Sequence, residues 1–212
     1  MEELFILQEA EFQILAGATG LKRVYGIKPE TVLDETNTMY TIHEMTRKGI
    51  LLQDEKGLFI TEPYRTAFTV MKEAKQIVTA EGEKTGERCF YSGEKMVCLE
   101  CSQQDKNAVK IGLFDRELFC GQLVESDFLP QPLLEPDIAQ LQSEDDMLED
   151  ENPVYAEFCF YAVSETEEVP EIKISLLENP CNYWIKIEEN DEIRYMHYDI
   201  ESCYNCLKSV LR

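Results

Sequence analysis

"YTIHEMTRKGILLQDEKGLFITEPYRTAFTVMKEA" runs from Tyr40 to Ala74 and changes its apolar period twice within thirty-five residues. Its first part closes a helix predicted over roughly Thr36 to Lys48, with Met39, Ile42 and Met45 three apart. Arg47 and Lys48 sit at the C-terminal end, where the helix dipole favours cations, and Gly49 stops the helix. "ILLQDEKGLFITE" then reads as two short strands around the polar turn "DEKG". Pro63 suits the first turn of a long third helix, "YRTAFTVMKEAKQIVTA", whose stripe includes Ala67, Val70, Met71, Ala74, Ile77 and Val78.

Upstream, "ELFILQEAEFQILAG" predicts another helix. Phe5, Phe12 and Leu15 lie near one face, Leu4, Leu7 and Ile14 alongside, and Gly17 and Gly20 follow as a stop. Helix, helix, hairpin, helix is the order of a winged-helix unit. "EGEKTGE" is a polar break, and from Arg88 the period becomes two. "CFYS", "KMVCLECS", "AVKIGLF" and "ELFCGQLV" predict four short strands with tight turns such as "QQDKN" and "DR".

"PQPLLEPDIAQLQSEDDMLEDENP" interrupts this pattern, with six carboxylates packed into Glu144–Glu151. It reads as a solvated acidic insertion, or as a docking segment for a basic partner. "YAEFCFYAV", "EIKISLL", "NYWIKIE" and "IRYMHYD" predict a second four-strand meander, and "IESCYNCLKSVLR" a closing helix with Ile200, Cys203, Leu207, Val210 and Leu211 near one side. "ERCFY" (Glu87–Tyr91) and "EFCFY" (Glu157–Tyr161) suggest that each meander opens in the same way.

The predicted architecture is α+β. A winged-helix-like helical part and a first antiparallel meander occupy 1–129, an acidic insertion 130–153, and a second meander with the C-terminal helix 154–212. The meanders form two related sheets, or one merged sheet, within a compact unit.

The 212 residues carry a net charge of -22. Residues 1–80 hold nine Lys/Arg against twelve Asp/Glu, a net of -3, and the remainder eleven against thirty, a net of -19. Such a field repels phosphate backbones and acidic headgroups, and it favours basic or apolar partners. No run approaches the ~18 apolar residues of a membrane span, and no secretion leader is evident, so the protein reads as cytosolic. The eight cysteines then read as reduced thiols.

A groove-reading helix needs cations for phosphates and Arg, Asn or Gln for base edges. Thr36–Lys48 offers Asn37, Arg47 and Lys48, and the "DEKG" turn adds two carboxylates, so DNA binding is disfavoured. Cys98/Cys101 and Cys203/Cys206 have zinc-ligand spacing. However, strand positions three apart face opposite ways, and the second pair reads as core, so no metal is expected. His43 and His197 have no nucleophile at a motif spacing, and no glycine loop cradles phosphate. The chain reads as a non-enzymatic protein without a cofactor.

"EAEFQILAG" followed by "YTIHEMTRKGILLQDEKGLFITEPYRTAFTVMKEA" resembles the opening of the EspG-type chaperones of type VII (ESX) secretion systems. The matching motif runs from Met45 through Gly49, Ile50 and Leu51 to Gly57, Leu58 and Phe59. In that family a meander, an insertion, a second meander and a last helix follow, related by a pseudo-twofold. The second half of that family holds a longer helical bundle, for which only Leu129–Pro153 is available here, and its second-sheet turn survives only as Tyr183 in "PCNYW". The resemblance implies a cytosolic chaperone that binds a helical-hairpin secretion substrate near its apolar tip. It places the partner-binding residues at Ser102, Gln103, Gln104, Asp105, Lys106 and Asn107, and on the last helix at Tyr204 and Leu207. The alternative reading is a winged-helix transcriptional regulator whose sheets sense a ligand or partner.

Overall fold

The computed structural model describes residues 3–27, 30–101, 107–130, 152–163, 169–179 and 182–212. Ser102–Lys106 and the acidic run Glu144–Glu151 therefore lie outside the described residues. The fold is α+β: five α-helices, a nine-stranded antiparallel sheet and a separate two-stranded hairpin among the described residues.

The first six described residues correct the sequence reading, because Glu3–Gln8 is a strand, β1, and not the start of a helix. Alternation decides it. Leu4 and Ile6 point to an open face, whereas Leu7 is fully buried, and six such residues fit a sheet edge as well as a helix. The helix α1 begins only at Glu9 and runs to Thr19, where Gly20 (φ 72°) closes it by donating back to Ala16 and Gly17.

The helix α2 (Glu35–Arg47) starts at Asp34, whose carboxylate accepts from the Asn37 N–H at 2.7 Å. Only Met45 of its apolar stripe is buried, and Met39 stays 68% exposed. β2 (Leu51–Asp54) and β3 (Gly57–Ile60) form the expected hairpin, with Leu52 opposite Phe59. The helix α3 (Tyr64–Glu73) follows Pro63 directly.

The predicted long third helix is the second correction. It stops at Glu73, and Gln76–Gly82 becomes β4, placed in the middle of the nine-stranded sheet. "QIVT" supplies three β-branched residues, and Ile77, Val78 and Ala80 are all fully buried. A strand covered on both faces reads as an unbroken apolar run, which periodicity alone cannot tell from a buried helix.

β5 (Gly86–Ser92), β6 (Lys95–Cys101) and β7 (Ala108–Asp115) follow. The expected fourth strand, "ELFCGQLV", is instead a 3-10 turn (Arg116–Leu118) and the helix α4 (Phe119–Glu125). Its buried residues, Phe119, Cys120 and Leu123, fall on one helical face, and Gly121 contributes nothing to a strand. β8 (Val154–Ala162), β9 (Ile172–Asn179), β10 (Asn182–Glu189) and β11 (Glu192–His197) form the second meander as expected. The helix α5 (Ile200–Val210) closes the chain.

The strand order is β1-β7-β6-β5-β4-β8-β9-β10-β11. The first run thus opens with β4, so "ERCFY" sits on its second strand, β5, and "EFCFY" on the opening strand, β8. The shared letters do not begin both meanders.

The chain divides into two compact units, residues 1–75 with 88–116, and 76–87 with 117–212. In the first, Leu7, Phe12, Leu15, Met45 and Phe68 are buried, with the Phe12 and Phe68 rings 5.2 Å apart. The α1–α2 connection lies against β5. Gly26 has φ 73°, and a Cβ there would come within 2.5 Å of the Cys89 Cβ. Beside it the buried Tyr91 hydroxyl accepts from the Tyr25 N–H at 2.7 Å. In the second unit, Phe158, Phe160, Ile174, Ile185, Cys203 and Leu207 are buried to within 1% of completely. The Gln76 amide ties the C-terminal end of α5 to β4: it donates to the Val210 carbonyl (3.1 Å) and accepts from the Arg212 N–H (2.8 Å).

Candidate partner-binding site

The β6–β7 hairpin carries the loop singled out by the sequence. Its last paired residues are Cys101 and Val109, and of the six loop positions only Asn107 is described. Its carbonyl accepts from the Glu9 N–H at 2.6 Å, extending the β1–β7 ladder by one rung and fixing the loop's return to the start of α1.

Glu9 does more than cap this rung. Its carboxylate is buried, yet it accepts from the Thr31 N–H (3.0 Å), the Thr31 hydroxyl (2.6 Å), the Glu30 N–H and the Gln13 amide. Burial alone would push its carboxyl up. The hydrogen bonds from Thr31 and its neighbours outweigh that and hold it below the ordinary 4.5. Two residues on, the buried Glu11 accepts from the Gln8 N–H (2.9 Å) and from Lys48 Nζ (2.6 Å), which pins the C-terminal end of α2 to α1. The start of α1 is therefore held by two carboxylates, Glu9 to the α1–α2 connection and Glu11 to the end of α2.

Asn107 belongs to the first unit, and Tyr204 and Leu207 to the second. On α5 the Tyr204 side chain is half-buried, with Lys208 Nζ 6.0 Å from its ring centre. Leu207 is fully buried and anchors α5 to its own core, and Tyr204 flanks that buried face while Glu201, Asn205 and Lys208 are exposed. Tyr183 stacks edge-on with Tyr155 (5.3 Å) and Tyr198 (5.9 Å). The hydroxyls of its two neighbours donate to the Asp127 (3.0 Å) and Pro130 (2.7 Å) carbonyls. This tyrosine group holds the chain where it enters the acidic insertion.

Other groups weighed from the sequence have ordinary partners. Arg47 pairs with Glu44 at 2.6 Å and Lys48 with Glu11, so both cations of the would-be DNA-reading helix are engaged by carboxylates. His43 lies 3.7 Å from Glu44, and His197 stacks on Trp184 at 3.8 Å. Burial pushes the Cys203 thiol up to about 12. Among the described residues no cluster of His, Cys, Asp or Glu could hold a metal ion.

The sequence reading missed several exposed apolar side chains in the first unit: Met39 and Tyr40 on α2, and Leu52, Leu58 and Phe59 on the hairpin. A signal existed, because a four-residue hairpin that is apolar on both faces can bury only one of them. In the second unit, a groove of about 270 Å³ floored by Ile172, Ile174 and Ile187 runs beside the end of α5, with the Arg194–Glu189 pair at its rim.

No protein-family model matches the sequence. No curated protein matches it either. Among solved structures, the chain is similar to the type VII secretion system chaperone EspG5 of Mycobacterium tuberculosis, solved in complex with a PE25–PPE41 dimer. The TM-score is 0.59 at 12% identity, and the match covers 99% of this chain and 96% of that one. At so low an identity the likeness is one of fold, and it covers 99% of the chain, including "EAEFQILAG" and Tyr40–Ala74, on which the resemblance to EspG-type chaperones was drawn.

Proposed function

We propose that this protein is a cytosolic, non-enzymatic chaperone that keeps a helical substrate of a type VII secretion system soluble before export. The observation that carries this reading is the mutual coverage, 99% and 96%, of the match to EspG5. A fold shared from end to end argues for a shared mode of use more than one common motif would. The composition supports the reading, since a body of net charge -22 remains soluble while offering apolar surface to an amphipathic helix. No helix among the described residues is long and apolar enough to cross a membrane. Each four-strand run is followed by a helix, α4 or α5, and we read these as two halves related by an approximate twofold.

In this reading the substrate contacts the loop Ser102–Asn107 of the first unit and α5 at Tyr204 of the second. Apolar burial supplies most of the affinity, and the polar loop residues set orientation. Replacing Gln103, Gln104 and Lys106 together by alanine is expected to weaken substrate capture about tenfold, or ~1.4 kcal/mol. Stability should barely change, because surface substitutions usually stay within ~0.5 kcal/mol each. Titration calorimetry beside thermal melts checks both. Wild-type affinity in the triple variant would reduce the loop to a simple turn.

A further inference from the structure

We propose that β1 is a pairing edge through which two copies of this chain associate, antiparallel, around a twofold axis. β1 is the terminal strand of the sheet, and among the described residues it pairs with β7 alone. The bond from the Glu9 N–H to the Asn107 carbonyl fixes the ladder's phase. Positions 9, 7, 5 and 3 exchange hydrogen bonds with β7, so the N–H and C=O of Leu4 and Ile6 point away from it. Gln8, next in the outward series, has its N–H taken by the Glu11 carboxylate. Leu4 and Ile6 are thus the outward-bonding positions left between Glu3 and Gln8.

The same two residues carry exposed apolar side chains, Leu4 at 70% and Ile6 at 57%. Gly112, opposite Leu4 on β7, leaves that side chain uncovered. An edge with outward backbone groups and flanking apolar side chains is the arrangement natural sheets usually blunt with charge. The opposite edge, β11, is blunted in that way by exposed Glu192 and Arg194, the latter paired to Glu189. β1 has no such charge between Leu4 and Leu7.

A second copy is the occupant that this edge fits. Centring the pair on Phe5 sets Leu4 of each strand opposite Ile6 of the other, and each such pair exchanges both hydrogen bonds. The register is closed on itself, as a twofold interface requires. It sets Glu3 opposite Leu7, so no like charges face each other. The edge also lies within residues 1–80, which carry a net of only -3. A six-residue edge is small beside the ~1,200 Å² of a stable interface, so the dimer is weak and reversible. The bodies still repel one another at -22 each, so added salt should strengthen this contact, whereas it weakens contacts driven by opposite charges.

Sedimentation equilibrium on the full chain tests this, together with amide exchange at Leu4 and Ile6. The weight-average mass should rise with protein concentration, and rise further as ionic strength goes from about 0.05 to about 0.5 M. Both amides should become protected in parallel. Leu4→Pro removes an N–H that β7 does not use, so the fold should survive while association weakens at least tenfold. Ile6→Lys should weaken it similarly, by setting an edge lysine against the partner's Leu4. If Leu4→Pro fails to fold, Ile6→Lys alone decides. A monomer at every concentration, a dimer indifferent to both variants, or protection of the edge only on adding a helical substrate would each overturn the proposal. Substrate capture by either variant is read separately, and its loss would count against the proposed substrate contacts instead.

Discussion

Leu207→Asp is expected to remove at least ~4 kcal/mol of stability, enough to unfold the second unit under ordinary conditions. Leu207 is 0% exposed, one turn from the equally buried Cys203, and these two hold α5 to its core. Truncating such a leucine to alanine costs about 2–5 kcal/mol through lost transfer energy and the cavity left behind. Aspartate adds the cost of a buried polar group with no partner, a few kcal/mol more even when it takes up a proton. Total stabilities of about 5–15 kcal/mol leave little after that loss. Urea titration followed by circular dichroism checks it, with Leu207→Ala as the milder control at about 3 kcal/mol. A Leu207→Asp variant within 1 kcal/mol of wild type, on the order of a surface change, would mean that α5 is not packed as described.

Glu9→Ala is the second large effect, expected at about 3 kcal/mol. The carboxylate satisfies the Glu30 and Thr31 N–H groups and the Thr31 hydroxyl, all of which alanine would leave without it. Bonds to a charged acceptor contribute about 1.5–3 kcal/mol each, and buried donors left without one cost about 1–3 kcal/mol each, partly relieved where water can enter. The pH dependence carries a signature. The folded carboxyl lies below its ordinary 4.5, so its contribution is complete above that value and is lost as pH falls through the lower, folded one. Wild type should therefore lose stability on acidification below about pH 4.5 more steeply than Glu9→Ala does. Parallel curves for the two proteins would show that Glu9 is not the clamp described here.

Elements with unambiguous periods were legible from the sequence. β8 to β11 and α5 follow from alternating or helical runs bounded by turns, and α2 with its hairpin from the Gly49 stop and the "DEKG" turn. The misread elements share one cause. "ELFILQ" and "QIVT" are short apolar runs that touch a true helix, so the helical period continued through them. Their strand character depends on neighbours distant in sequence: Ala108–Leu113 for β1, and Ala156–Ala162 for β4. α4 failed in the opposite sense, because "ELFCGQLV" alternates enough to pass for a strand while burying Phe119, Cys120 and Leu123 on one side.

The candidate site divides differently. The loop and α5 were named from chain order and the family resemblance, and of those residues the structure describes Asn107, Tyr204 and Leu207. Glu9 could not be named in this way, because a glutamate near a helix start looks like ordinary dipole compensation until Thr31 closes over it. The β1 edge was hidden for the same reason, since a residue read as helical has no outward backbone group to pair.

The most direct test of the chaperone reading is a titration of the purified protein with a helical PE–PPE-type dimer encoded beside a type VII secretion ATPase. The account predicts a saturable complex with one substrate dimer. Its heat-capacity change should be negative, as apolar burial requires, and its affinity should change little with salt. Failure to bind any such dimer, together with salt-sensitive retention of duplex DNA, would contradict the account.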